Sequence, residues 1–378
     1  MMFKKKKIIF LTGTRADYGK LKPLIIATKK NKKFQPIIIV TGMHLMKKYG
    51  STYKQIEKDF RDLKIYKIKN HSKEDSMDLM LSKSIKYLGK ALKVISPNLI
   101  VIHGDRVETL AASIYCNLNN ILISHIEGGE VSGTVDESIR HATTKLSHIH
   151  FVSNNKAKNI LRRMGEIKKN IYVIGSPEVD IMIGKSLPPQ EEVLNRYNIN
   201  FKNYSIFLFH PVTTLKKEDI IKQCNIMFNV LTKSLKNYVV IFPNNDNFSK
   251  IILNFIKKLK SFKNIKILPS LRFEFYLTLL KNSDFIIGNS SSGIREAPVY
   301  GVQTINLGER QKNRTINNFI INLKFQEKKI LNVVNNLGKI KNTKKFIFGQ
   351  GGSAKKFIKV IDRKIFWLTS RQKYFSEN

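Results

Sequence analysis

Ionisable groups crowd into one stretch of the chain, from His103 to His141. One apolar run ends in His103-Gly104-Asp105-Arg106, and the next ends in His125-Ile126-Glu127-Gly128-Gly129-Glu130. Delivering such groups at the ends of buried strands is costly unless they pair or work. Neighbouring carboxylates drive their pKa values apart, so that one can hold a proton while another accepts one. Asp105, Glu127 and Asp136 therefore read as an acid/base set for proton transfer. A structural reading competes for some of these charges. Thr134-Val135-Asp136-Glu137 has the form of a capping box, which assigns Glu137 to a helix start. Asp136 falls in the first turn, where the helix dipole favours a carboxylate, and Arg140 is spaced to pair with it. A cap and a salt-bridged loop do not explain three carboxylates converging at neighbouring strand ends. His103, His125, His141, His148 and His150 invite a metal reading, but none has HExxH or cysteine-containing zinc spacing, so no metal is expected.

Further polar groups follow other apolar runs. Gly13-Thr14-Arg15 leads into a helical pattern, and Arg15 offers a fork of donors to a phosphate. The loop is neither a Walker A motif nor GxGxxG. His210 ends a run in Phe209-His210-Pro211-Val212-Thr213-Thr214, and its position is what marks it. Asn289-Ser290-Ser291-Ser292-Gly293 opens a helical pattern, offering hydroxyl donors and backbone amides to an anion where a plain cap would need one serine. Arg310, in Gly308-Glu309-Arg310-Gln311, is placed to close on a phosphate, and Gly349-Gln350-Gly351-Gly352-Ser353 repeats the loop-then-helix form.

These groups need strands to carry them. Apolar runs at 8–12, 36–42, 99–104, 121–126, 149–153 and 171–175 alternate with amphipathic helical patterns, which means a parallel, doubly wound sheet. The alternation pauses over 176–193, where Pro188-Pro189 marks a linker, and restarts with runs at 205–210, 238–243, 264–269, 284–289 and 303–308. The chain thus reads as α/β, with a Rossmann-like domain over 1–180 and a second over 190–353; a helix over 354–378 is left to pack on either. Ligands of such sheets bind beyond the carboxyl ends of the strands, and two halves facing each other would make an interdomain cleft.

Bulk composition narrows the function classes. A length of 378 residues with 42% hydrophobic residues supports two cores. The net charge of +39, from 67 basic against 28 acidic residues, raises a nucleic-acid or acidic-membrane partner. The lysines, however, are spread through the chain and no RNP-like or zinc-finger motif accompanies them, so a lysine-rich surface is the preferred reading and no nucleic acid is expected. Cys116 and Cys224 lie in apolar helical stretches and read as buried free thiols of a reducing compartment. The opening run Ile8–Leu11 is too short for a signal peptide, and no apolar stretch is long enough to span a membrane. A cytoplasmic location is expected.

The chain resembles the hydrolysing UDP-N-acetylglucosamine 2-epimerases of bacterial sialic acid biosynthesis, and is similar to the epimerase half of the animal bifunctional epimerase/kinase. The likeness runs nearly end to end through GTRADYGKL, HGDR, HIEGGEVSGTVDESIRHATTKLSHIH, GSP, FHPVTT, FPNND, GNSSSGIREAPVYG and NLGERQKNR. It implies two Rossmann-like domains in the glycosyltransferase-B arrangement, with the C-terminal helix crossing back to the first. It implies conversion of UDP-N-acetylglucosamine and water to N-acetylmannosamine and UDP, through elimination to 2-acetamidoglucal and hydration, without cofactor or metal. Asp105, Glu127 and Asp136 match the family's acid/base set, with His210 also in the catalytic group. Arg15, Arg106, His210, Asn244, Ser290, Ser291, Glu296 and Arg310 match positions that hold UDP or its pyrophosphate. The family also implies a dimer or tetramer. Its relatives that act on UDP- or GDP-linked 2,4-diacetamido-trideoxyhexoses of the legionaminic acid route supply the alternative substrate. A non-hydrolysing epimerase, a glycosyltransferase of the same fold and a basic nucleic-acid-binding protein are the remaining alternatives.

Overall fold

The computed structural model describes every residue except 1–4, 71–75, 133–134, 185–186, 245, 312–318, 339–342, 375 and 377–378. The chain forms two compact units: Met1–Glu130, Asp136–Ile183 and Phe348–Asn378 make the first, and Val131–Val135 with Gly184–Ile347 the second.

The first unit is built on β1 (Lys6–Thr12), β2 (Phe34–Val40), β3 (Lys64–Lys67), β4 (Leu99–His103), β5 (Ile123–Ile126), β6 (Ile149–Val152) and β7 (Ile171–Val173). Among the described residues these form one parallel sheet in the order β3-β2-β1-β4-β5-β6-β7. Successive side chains of a strand point to opposite faces. Ile8 and Phe10 accordingly join one core cluster while Ile9 and Leu11 join the other, and β1 reads as a continuous apolar run because helices cover both faces. The segment resembling a signal peptide is thus a central strand. The chain winds outward through β2 and β3, then returns to lay β4 on the other side of β1, which places the switch point between β1 and β4.

The second unit repeats the plan with β8 (Ser205–Leu208), β9 (Tyr238–Ile241), β10 (Ile265–Leu268), β11 (Phe285–Gly288), β12 (Gln303–Leu307) and β13 (Ile320–Leu323). Their order is β10-β9-β8-β11-β12-β13, all parallel, with the switch point between β8 and β11. Phe207, Tyr238, Val240, Phe285 and Ile287 fill one face, and Ile206, Val239, Ile241 and Ile286 the other.

The helix Ser353–Ile361 belongs to the first unit, where Phe357 packs 4.9 Å from the Phe151 ring and 6.4 Å from Phe10. Its N-terminal amides are capped from a distance: Asp180 Oδ1 accepts from Ser353 N and Oδ2 from Ala354 N, each at 2.9 Å. The glycine-rich loop before it therefore meets a carboxylate of its own chain where the sequence offered a phosphate-type site. Losing a helix cap costs about 1–2 kcal/mol. Asp180→Ala should accordingly lower the urea midpoint of the first unit, read through the emission of Trp367, the one tryptophan of the chain; an unchanged midpoint would deny the cap its weight. Cys116 and Cys224 are buried and free, and burial pushes both thiols up, Cys224 to about 12. Among the described residues no helix is long and apolar enough to cross a membrane.

Candidate functional site

In the first unit the polar groups lie where β1, β4, β5 and β6 end. Glu127 opens the loop after β5 with φ of 64°. Placing a residue with a Cβ in the left-handed region costs about 1–2 kcal/mol. Such outliers concentrate where surroundings over-determine the backbone for function. Its amide donates to Phe151 O of β6 at 2.8 Å, and the residue is 4% exposed. Glu127 Oε2 takes Lys20 Nζ at 3.1 Å and His103 Nε2 at 3.0 Å, while Oε1 accepts the Ser176 hydroxyl. Lys20 also lies 3.2 Å from Glu178 Oε2, so one buried ammonium serves two buried carboxylates. The carboxylate thus faces one cation and two further hydrogen-bond donors inside the fold. The paired glycines that follow are required by closeness: a Cβ on Gly129 (φ 77°) would lie 2.5 Å from Ala157 O.

Asp105 follows β4 after Gly104 (φ 74°), with its side chain 25% exposed, and its Oδ2 is bonded by Arg140 Nη2. Arg140 is buried and also donates through Nη1 to Glu130 O at 2.8 Å. The guanidinium that helix spacing offered to Asp136 thus ties the loop after β4 to the loop after β5. Glu130 Oε1 accepts from Ser153 Oγ at 2.8 Å, a structural use. Asp136 stands half-buried in the first turn of the helix Val135–Leu146. The Thr134 cap falls outside the described residues; Glu137 lies 3.4 Å from His141, one turn on. Arg15 begins the helix Arg15–Lys30, and Arg106 immediately precedes the helix Val107–Leu118; both are half-buried.

The histidines go separate ways. His125 Nε2 meets Gly104 O at 2.8 Å, and burial lowers its pKa to about 3. His148 Nδ1 accepts from Ile123 N at 3.1 Å, so Nε2 carries the proton toward Arg371 O at 3.0 Å. His150 Nε2 lies 2.8 Å from Glu166. Among the described residues no group of three histidine, cysteine or acidic side chains is arranged to hold a metal ion.

Sequence reasoning missed three members of this region. Lys20 and Ser176 reach Glu127 from distant parts of the chain, and nothing local marks either one. Asp17 is the third: its carboxylate takes Gly13 N at 2.9 Å, Thr14 N at 3.0 Å and the Thr12 hydroxyl. The Thr14-x-x-Asp17 spelling was the available signal, since it is a capping box. Burial pushes the Asp17 carboxyl up, against the pull of the Thr12, Gly13 and Thr14 bonds and of His103. His44 packs behind it, 3.0 Å from Thr12 Oγ1, and burial and the charge of Arg15 lower it to about 3.

In the second unit the strand ends of β8, β9, β11 and β12 carry the groups. His210 and Asn289 meet across the switch point: Asn289 Oδ1 accepts His210 N at 2.7 Å, and Nδ2 donates to His210 O at 2.8 Å. Asn244 N donates to His210 Nδ1 at 3.2 Å, which leaves the proton of a neutral ring on Nε2. Arg310 Nη1 and Gln311 Nε2 both donate to Asn289 O, at 3.2 and 2.9 Å. Asn289 is thus the hub that fixes His210 and Arg310. Ser290 and Glu296 are buried and Ser291 half-buried. The single helix expected after the serines is two single turns, Ser292–Arg295 and Ala297–Tyr300, because Pro298 lacks the amide that would continue it. Ser292 N turns back to Ser290 Oγ and Gly293 N to Ser290 O, each at 3.3 Å, so these two amides are spent inside the loop, and single turns carry little helix dipole.

A family model described as UDP-N-acetylglucosamine 2-epimerase matches residues 26–362, which take in every strand named above except β1. The UDP-N-acetylglucosamine 2-epimerase of Neisseria meningitidis serogroup B is 42% identical over 375 residues, 98% of this chain and 98% of that one. The UDP-N,N'-diacetylbacillosamine 2-epimerase (hydrolyzing) of Legionella pneumophila is 32% identical over 322 residues, 84% of this chain and 85% of that one. A crystal structure of the Methanocaldococcus jannaschii UDP-GlcNAc 2-epimerase in complex with UDP-GlcNAc and UDP has the same fold, with a TM-score of 0.79 over 94% of this chain and 99% of that one at 24% identity. With the family model covering most of its length and a relative matching nearly end to end, the chain belongs to the UDP-N-acetylglucosamine 2-epimerase family.

Proposed function

We propose that the chain is a hydrolysing epimerase that converts UDP-N-acetylglucosamine and water to N-acetylmannosamine and UDP, a precursor step for sialic acid. The observation that carries this reading is the buried Glu127 carboxylate, held at positive φ among Lys20, His103 and Ser176. A fixed carboxylate of this kind suits proton transfer at a carbon beside the anomeric centre. One group removes the proton at sugar carbon 2 as the bond to UDP breaks, giving 2-acetamidoglucal. Water then adds at the anomeric carbon, and a proton returns to carbon 2 from the other face. Inversion needs acid/base groups on both faces, and Asp105, Glu127 and Asp136 are assigned to that set, with His210 aiding departure of the nucleotide. Arg15, Arg106, Asn244, Ser290, Ser291, Glu296 and Arg310 hold UDP; donors placed where charge develops on the leaving diphosphate favour the transition state. No cofactor or metal enters this scheme.

The 42% identity to the neisserial relative favours N-acetylglucosamine as the sugar, and the 32% identity to the Legionella relative keeps a UDP-linked diacetamido sugar as the second reading. Proton NMR in heavy water separates them. With UDP-N-acetylglucosamine alone, free N-acetylmannosamine bearing deuterium at carbon 2 should appear together with UDP. Appearance of UDP-N-acetylmannosamine without free UDP would replace hydrolysis by simple epimerisation. Survival of this substrate while the diacetamido nucleotide reacts would move the assignment to the second reading.

A further inference from the structure

We propose that Ser176 is a positioning residue for Glu127, and that the chain segment Phe348–Ala354 holds it in place. This rests on the reading of Glu127 as an acid/base group. Ser176 is fully buried in the turn between β7 and the helix Pro177–Met182. Its amide donates to Phe348 O at 2.6 Å, its carbonyl accepts the Ser353 hydroxyl at 3.1 Å, and its own hydroxyl donates to Glu127 Oε1. Asp180, four residues on, takes the amides of Ser353 and Ala354.

The glycines make this stitching possible. A Cβ on Gly349 (φ 117°) would lie 2.7 Å from Gly175 Cα, and one on Gly351 (φ 89°) would lie 2.3 Å from Ile183 Cδ1. Gly349 is therefore spent on close approach to the turn that carries Ser176, while Gly351 clears the side chain of Ile183 just past the helix Pro177–Met182. With its backbone pinned on both sides, the serine has one rotor left, and that rotor is turned to Glu127. Oε1 is thereby occupied by a neutral donor, while Oε2 faces Lys20 and His103. The two oxygens of this carboxylate are chemically distinct because residues near the end of the chain hold Ser176 in register.

A hydroxyl that donates to a carboxylate polarises the oxygen it meets, so removing it should change the environment of the Glu127 carboxyl. Among the described residues Lys20 from the helix Arg15–Lys30, His103 from the end of β4, His125 from β5 and, through Lys20, Glu178 also face this carboxylate. The test is the carbon spectrum, at neutral pH where the unit is folded, of protein carrying 13C at the glutamate carboxyls, with Glu127→Gln identifying the Glu127 resonance. Ser176→Ala should displace that resonance, while Ser176→Thr, which keeps the hydroxyl, should return it toward the parent position. Asp180→Asn and Ser353→Ala should move it the same way by less. With UDP-N-acetylglucosamine, Ser176→Ala should lose about tenfold in kcat with little change in KM. A resonance unmoved by Ser176→Ala overturns the role of Ser176, whether or not any substrate turns over. A resonance that moves with Ser176→Ala but not with Asp180→Asn or Ser353→Ala overturns the role of the returning segment. Absence of turnover by the unaltered enzyme would sink the epimerase reading alone and leave the spectrum readable.

Discussion

Replacing Glu127 with glutamine is expected to lower kcat for UDP-N-acetylglucosamine by about 10³-fold while leaving KM within a few-fold, because general acid/base groups supply about 10²–10⁴ of rate. Glutamine has the shape of glutamate and keeps an acceptor for Ser176 or for Lys20. Lys20 also retains Glu178, at 3.2 Å. The substitution therefore removes proton-transfer capacity and one buried charge without opening a cavity. Circular dichroism of the variant should match that of the parent protein, which separates a chemical loss from unfolding. Asp136→Asn should fall to a similar extent, since it removes a carboxylate of the same proposed set. Glu130→Gln is the control: Glu130 is buried three residues away, but its side chain serves Ser153 and its carbonyl serves Arg140, so kcat should stay within several-fold. Retention of kcat within tenfold by Glu127→Gln would remove Glu127 from the chemistry.

The alternation of strands and helices was legible because central parallel strands are buried on both faces and read as unbroken apolar runs. The two strands that escaped are β3 and β13, both at sheet edges. β3 is spelled Lys64-Ile65-Tyr66-Lys67 with exposed ends, and β13 is mostly half-buried, so neither shows the signal of a covered strand. Strand-end groups such as Asp105, Glu127, His210 and Arg310 were legible for a related reason. A polar residue directly after an apolar run must sit at the carboxyl edge of the sheet. The partners that tune them were not, because they arrive from elsewhere in the chain. Lys20 reaches Glu127 across 107 residues and Ser176 across 49, and no local pattern marks either contact. The broken helix after Ser292 lay between these extremes: Pro298 was visible, but its effect on the amides around Ser290 depended on backbone geometry.

Acid should open the first unit before the second. Burial is the leading cause that lowers His44 and His125 to about 3 and His148 to about 4. Burial also pushes His150 down, although Glu166 at 2.8 Å pulls against it. In the unfolded chain these rings titrate near 6.5. Below that pH the unfolded state binds protons that the folded unit refuses, so stability falls as pH drops from about 6.5 toward the folded values. His44 and His125 would each withdraw on the order of 4 kcal/mol across that window, as much as a large part of a domain's stability. Glu166 adds to the loss lower down. Burial would raise it, but His150 and Lys373 outweigh that and hold it at about 2, so its share is intact above about 4.5 and vanishes toward 2. Asp17 works the other way, since its raised value makes the folded unit the better proton acceptor at low pH; one such group does not offset four histidines. The second unit contains a single histidine, His210, and lacks this load. Trp367 reports on the first unit alone, with its ring 6.0 Å from Phe34 and Nε1 bonded to Ile361 O at 2.8 Å. Its emission should shift cooperatively between about pH 6 and 4. His148→Gln, whose amide can both accept from Ile123 N and donate to Arg371 O, should move that midpoint to lower pH because it deletes one titrating ring. Trp367 emission that stays native down to pH 4, or a His148→Gln midpoint that fails to move, would show that these buried histidines do not govern the acid limit of the first unit.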